Sequence, residues 1–138
     1  MKSTRLAGVM VSLLAVTLFA PGAAAASTSS AGPVYWYQVI ARHSGKCLDV
    51  ANASLKHAAN VVQGVCGGPA AYNQQWRIRY VEGGDGAARV IARHSGMCLD
   101  VAYARLEHGA NVVQGVCGGA GSGANQLWRF KRVAVTWE

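Results

Sequence analysis

The chain has 138 residues, with 13 Lys+Arg against 6 Asp+Glu and a formal net charge of +7. That length fits one domain and argues against two full ones. The charge does not point to nucleic acid: the basic residues are scattered, with no run longer than Lys131-Arg132, whereas phosphate tracking needs a clustered patch.

Residues 1–26 read as a secretory signal. Lys2 and Arg5 precede an apolar run at 6–20, and Ala24-Ala25-Ala26 forms a small-residue cleavage site. The run is too short to span a bilayer and no second run approaches it, which argues against membrane insertion. These features predict a secreted, extracellular protein that begins at Ser27, with a short linker over 27–33 and one domain over 34–138. Removal of Lys2 and Arg5 leaves 11 basic residues against 6 acidic ones, a net of +5. Export favours disulfides over metal or redox roles for the four cysteines. A loop-rich core of this size gains from such staples.

In chain order, short strands are predicted at 35–40, 47–50, 60–65 and 75–80, then at 89–92, 98–101, 111–116 and 127–133. They are rich in Val, Ile and aromatics and are bounded by Gly, Ser and Asn. Residues 54–59 read as one helical turn at most, and no window sustains a helical period. The class is all-β.

The second half repeats the first. Residues 40–68 and 91–119 match at an offset of 51, with 24 of 29 positions identical. Four of the five differences, at 52, 54, 56 and 58, alternate as on one exposed face of an extended segment. Asn73-Gln74-Gln75-Trp76 matches Asn125-Gln126-Leu127-Trp128 one residue further on. The units are lobe 1, about 34–84, and lobe 2, about 85–138. Four cysteines allow three connectivities. Pairing within each unit alone lets near-identical sequences fold alike, and favours Cys47–Cys66 and Cys98–Cys117 over the other two.

The set Ser-Gly-Lys-Cys-Leu-Asp-Val at 44–50, Cys66 and Asn-Gln-Gln-Trp at 73–76 resembles one lobe of a ricin-B-type lectin domain. Residues 95–101, Cys117 and 125–128 resemble a second, so the likeness runs from 34 to about 133. The resemblance implies a disulfide-stapled β-trefoil that binds a polysaccharide or glycoconjugate without catalysis. It implies core positions for Trp76 and Trp128. It implies that Asp49 and Asp100 face shallow pockets and accept bonds from sugar hydroxyls, that Asn73 and Asn125 add a donor and an acceptor, and that Gln74 and Gln126 orient the carboxylates. Hydroxyls both donate and accept, so a charged acceptor beside an amide suits them. Without the resemblance, Asp49 and Asn73 read as turn residues.

Two departures stand out. Sugar-binding lobes of the family carry an aromatic two residues before the second Cys; here Gly64 and Gly115 stand there. Val62 and Val113 replace a frequent Gln, and Gln63 and Gln114 fall one step along, on the opposite strand face. Tyr103 is a substitute platform in lobe 2, but its lobe 1 counterpart is Asn52; Tyr72 faces Gly123 or a gap. This weakness supports an alternative function, a protein-interaction or inhibitor module that kept the scaffold and lost the sugar site. The second departure is the count. A trefoil closes with three lobes, whereas two are present and too few residues follow Trp128 for a third. An open edge results. Lobe sharing in a homo-oligomer would close it, with three chains building two trefoils. Cover by 34–37 and 132–138, with Tyr35, Trp36, Tyr37 and Trp137, is the other solution.

No catalytic or metal constellation is expected. His43, His57, His94 and His108 are two turn positions copied twice, without convergent metal ligands. Ser44 and Ser95 adjoin a His in sequence only, which is not triad geometry. Asp49 and Asp100 belong to different lobes, and Glu82 and Asp85 lie in the turn between them, so no two carboxyls are set to face one glycosidic bond. Gly83, Gly84 and Gly86 precede no helix and form no phosphate loop. No cofactor is implied.

Overall fold

In the computed structural model, the residues described are 32–118 and 123–132, together with Gly8. Apart from Gly8, the expected leader at 1–26 lies outside them, as do most of the expected linker and the tail with Trp137. Among the described residues there are seven strands: β1 Cys47–Val50, β2 Val61–Gly64, β3 Trp76–Tyr80, β4 Ala87–Ala92, β5 Cys98–Val101, β6 Val112–Gly115 and β7 Trp128–Arg129. None of their helices is long and apolar enough to cross a membrane.

The chain folds as an all-β, trefoil-like arrangement. β1 pairs with β2, and β3-β4-β5-β6 form a sheet in which β7 also pairs with β4. β1 and β5 match the expected spans; β2 and β6 lose a residue at each end. The segment at 35–40 is not a strand. It touches its neighbours at two isolated bridges, Tyr37 to Trp76 and Ile40 to Cys47. Its lobe 2 counterpart, β4, gains a full ladder because the turn at 81–86 returns β3 onto it, from Trp76 opposite Ala92 to Tyr80 opposite Ala88. Asp85 sits in that turn with φ 49°, as its place between the lobes suggested. The helical turn expected at 54–59 lies earlier, as 3-10 turns at Ala51–Ala53 and Ala102–Ala104. Asn52 and Tyr103 there have left-handed φ of 56° and 57°, so the turn is a kink that cannot extend.

Each unit is pinned by its own disulfide, Cys47–Cys66 and Cys98–Cys117, each with 5.1 Å between Cα atoms. Registers agree too: Cys47 faces Gly64 and Asp49 faces Val62, just as Cys98 faces Gly115 and Asp100 faces Val113. Strand alternation therefore puts Cys, Asp, Val and Gly on one face, and Leu48 with Gln63, or Leu99 with Gln114, on the other.

The core holds Val50, Trp76, Val90, Ala92 and Leu99. Both indoles donate to the main chain of their own lobe, Trp76 Nε1 to Leu48 O at 3.0 Å and Trp128 Nε1 to Leu99 O at 2.9 Å. Their burial differs. Trp76 is fully enclosed, held between the Tyr37 bridge and β4. Trp128 is half-buried and packs on the core from its margin. The core role implied for both Gln-x-Trp indoles thus holds fully in lobe 1 and partly in lobe 2. Replacing Trp76 by Ala should cost about 3–5 kcal/mol, and Trp128→Ala clearly less; urea unfolding of the oxidised protein checks the order.

Candidate functional site

In lobe 1, Asn73 and Gln74 lie on the 3-10 turn Tyr72–Gln74, which precedes β3 and faces β1. Asn73 Nδ2 donates to Asp49 Oδ1 at 2.8 Å and Gln74 Nε2 donates to Asp49 Oδ2 at 2.7 Å. Gln74 also donates to Val65 O at 2.9 Å and accepts from Gly67 N at 2.8 Å. Lobe 2 repeats this bond for bond. Asn125 Nδ2 meets Asp100 Oδ1 at 2.6 Å, Gln126 Nε2 meets Asp100 Oδ2 at 2.7 Å and Val116 O at 2.9 Å, and Gly118 N donates to Gln126 Oε1 at 2.9 Å. All six expected polar residues are therefore brought together, three in each lobe.

The glycines follow from this clamp. A Cβ at Gly64 would stand 2.3 Å from Asp49 Oδ2, and one at Gly115 would stand 2.3 Å from Asp100 Oδ2. The carboxylate occupies the volume that any side chain there would need. Glycine at this position is a packing requirement of the clamp as well as the loss of a platform.

The clamp also changes what each site offers a ligand. Asn125 Nδ2 reaches Val101 O at 3.3 Å as well as Asp100, so both of its amide protons are committed within the lobe. Its Oδ1 and the remaining carboxylate lone pairs are acceptors. In lobe 2 they border a cleft of about 300 Å³ lined by Asp100, Asn125, Tyr103, Val113, Ala102 and His57. Tyr103 is 88% exposed and has a left-handed backbone, with the Arg105 guanidinium 5.5 Å from its ring centroid. His57 comes from lobe 1. Its Nδ1 accepts from Val116 N at 3.2 Å, which leaves Nε2 of the neutral ring as a donor. In lobe 1, Asn52 takes the place of Tyr103.

A model of the ricin-type beta-trefoil lectin domain-like family matches residues 25–115 and 72–137. The chain belongs to this ricin-type lectin-like family. Among solved structures, it is similar to the designed 3-fold symmetric protein ThreeFoil, at 47% identity and TM-score 0.62 over 71% of this chain. It is also similar to 1,3Gal43A, an exo-beta-1,3-galactanase from Clostridium thermocellum, at 29% identity and TM-score 0.60 over 72% of this chain. The mdaA-1 domain, at 23% identity and TM-score 0.53 over 64% of this chain, shares the fold. The chain spans 65%, 20% and 51% of those three structures. No curated protein matches it.

Other features of this ricin-type chain were not legible in its sequence. Tyr72 is no platform for Asp49: Arg93 lies over its ring at 4.3 Å and over Trp36 at 5.4 Å, while bonding Gln75 Oε1 at 2.6 Å. Arg93, Trp36 and Gln75 border a larger cleft, about 470 Å³, to which neither clamped carboxylate contributes. Among the described residues no three His, Cys, Asp or Glu are grouped to hold a metal ion. Gly115→Ala should push Asp100 off its amides and destabilise the protein by about 1–3 kcal/mol. Gly68→Ala, with nothing within 4 Å of the added carbon, should be near neutral; thermal melting of both variants compares them.

Proposed function

We propose that this protein is a secreted, non-catalytic carbohydrate-binding protein whose stronger site is the lobe 2 cleft. The observation that carries this reading is the exposed Tyr103 ring lining the same cleft as the Asp100–Asn125 pair. The Arg105 guanidinium lies 5.5 Å from the centroid of that ring; the ring face it leaves open suits the C–H face of a sugar, while the acceptors suit its hydroxyls. The likeness to part of an exo-beta-1,3-galactanase supports glycans as the ligand class. Residues 1–26 support export, where two structural disulfides persist.

Lobe 1 is the weaker site, since Asn52 supplies no ring. Gly64 and Asn52 together keep the protein-interaction reading relevant to that lobe.

Affinity electrophoresis and a glycan array with the oxidised protein test the proposal. Tyr103→Ala should weaken binding about 3- to 10-fold, the equivalent of one aromatic contact. Asp100→Asn should abolish most of it, and Asp49→Asn should have the smaller effect. Absence of glycan binding by the unaltered protein would refute the proposal.

A further inference from the structure

Two sets of bonds join lobe 2 to lobe 1, and they differ in what they leave over. In the first, the buried Gln114 donates through Nε2 to Ser54 O at 2.7 Å and Lys56 O at 2.8 Å. Its main chain pairs with Ala58 N at 2.8 Å and Ala59 O at 2.9 Å. Ser95 Oγ orients the amide by donating to Oε1 at 2.8 Å, as Ser44 does for the exposed Gln63. Both amide protons and the amide oxygen of Gln114 are thereby matched. The second set centres on Arg93. Its main-chain N donates to Gln75 O at 2.8 Å and its Nη1 to Gln75 Oε1 at 2.6 Å. Gln75 is 8% exposed and is itself fixed, donating through Nε2 to Pro69 O at 2.9 Å.

The second set leaves donors unused. A guanidinium carries five N–H donors, all in its plane, and stays charged. The rings of Tyr72 and Trp36 take its faces, at 4.3 Å and 5.4 Å, and Gln75 takes one donor. Arg93 has no carboxylate partner among the described residues. It borders the cleft of about 470 Å³, whose walls include Trp36, Gln38 and the 67–69 loop and no acidic side chain.

The surroundings of Arg93 are not a product of the repeat. Arg42 is its lobe 1 copy. At the same offset, Ala87 and Arg89 stand where lobe 1 has Trp36 and Gln38. Tyr72 opens the 3-10 turn that Ala124 opens in lobe 2, and Gln75 becomes Leu127. The lobe fold requires none of these four side chains, since lobe 2 forms without them. The remaining walls are polar. Gln38 is exposed, and its Nε2 donates to Gly67 O at 3.1 Å, which leaves Oε1 and one amide proton. Apart from Trp36 and Pro69, no apolar side chain lines the cleft, so a purely apolar ligand gains little there.

We infer that this cleft is a second ligand site, for a sugar that carries a carboxylate, a uronic acid. The carboxylate takes N–H donors of Arg93 that Gln75 leaves, in the charge-assisted geometry that a guanidinium offers. The hydroxyls meet the Gln38 amide and the main chain of the 67–69 loop, and a C–H face lies against the half-buried Trp36 indole. Gln75 and the two rings already hold the guanidinium in place, so binding orders little that is free. The site uses none of Asp49, Asp100 and Tyr103, and stands independently of the lobe 2 cleft.

NMR titration of the isotope-labelled, oxidised protein with sodium glucuronate at millimolar concentrations tests this, read at the Trp36 indole N–H and the Gly68 amide. Glucose, which is neutral, and acetate, a bare carboxylate, are the comparison ligands. Glucuronate should give saturable shifts at both groups, with glucose and acetate each about 10-fold or more weaker. Arg93→Gln should weaken glucuronate about 10-fold or more, and Gln38→Ala about 3-fold. Arg42→Gln, at the copied arginine, should leave it unchanged. Gln38→Ala alters an exposed side chain, so it decides the matter where Arg93→Gln loses the native spectrum. Absence of saturable shifts at Trp36 and Gly68 would overturn the inference, as would glucose binding as tightly as glucuronate. Acetate binding as tightly would reduce the cleft to a bare anion site and overturn it too. Unchanged affinity in a natively folded Arg93→Gln, or in Gln38→Ala, has the same consequence. Shifts confined to the Tyr103 amide would sink this site and leave the lobe 2 reading standing.

Discussion

Each lobe depends on one carboxylate held by two side-chain amides. The bonds from Asn and Gln to Asp49 or Asp100 are 2.6–2.8 Å long, and a charged acceptor makes them stronger than neutral ones. They tie together parts that sequence separates: the Asp on the first strand of the hairpin, the amides on the 3-10 turn before the last strand, and, through Gln74 or Gln126, the backbone just beyond the second strand. The indole two residues after the Gln donates to the residue before the Asp, from below. Removing the carboxylate would leave the buried Gln74 and Gln126 amides short of an acceptor, at the cost of an unmet buried donor. Glycine opposite the carboxylate is the steric complement of the same arrangement.

The fold class, the pairing of the cysteines and the membership of each clamp were legible because they are local to a unit and appear twice. Cys-Leu-Asp-Val forms β1 and β5 without adjustment, since alternation and β-branched residues agree with the hairpin register. Legibility fails where partners come from elsewhere. Residues 35–40 have the composition of a strand but no returning hairpin to pair with, so they make isolated bridges. The glycines two before the second Cys read as lost rings, because nothing in a linear pattern shows a carboxylate lying over them. Tyr72 stacks under Arg93, a contact across lobes that no spacing encodes.

Identical residues in unlike surroundings show what the repeat conceals. Gln63 and Gln114 share their neighbours in sequence, their orienting serine and their strand register, yet one is exposed and the other sealed. Val62 with Val113, and Trp76 with Trp128, divide in the same manner, according to whether another lobe lies alongside. Local sequence sets each lobe's conformation; lobe order sets its burial. Four of the five sites at which the matched blocks differ, 52/103, 54/105, 56/107 and 58/109, fall where only backbone is used for docking or where a ring is offered to a cleft. Divergence has therefore been free to separate the two candidate binding sites while sparing the contact between lobes.

At the proposed site, recognition and lobe docking share atoms. The lobe 2 cleft has its carboxylate and tyrosine from one lobe and a histidine from the other, and that histidine accepts a docking bond from Val116. A ligand that touches both walls binds the docked arrangement and not a separated pair of lobes, so it must stabilise docking by the same free energy that docking contributes to its affinity. Within the chain this coupling is hidden, because the linker keeps lobes 1 and 2 at high effective concentration.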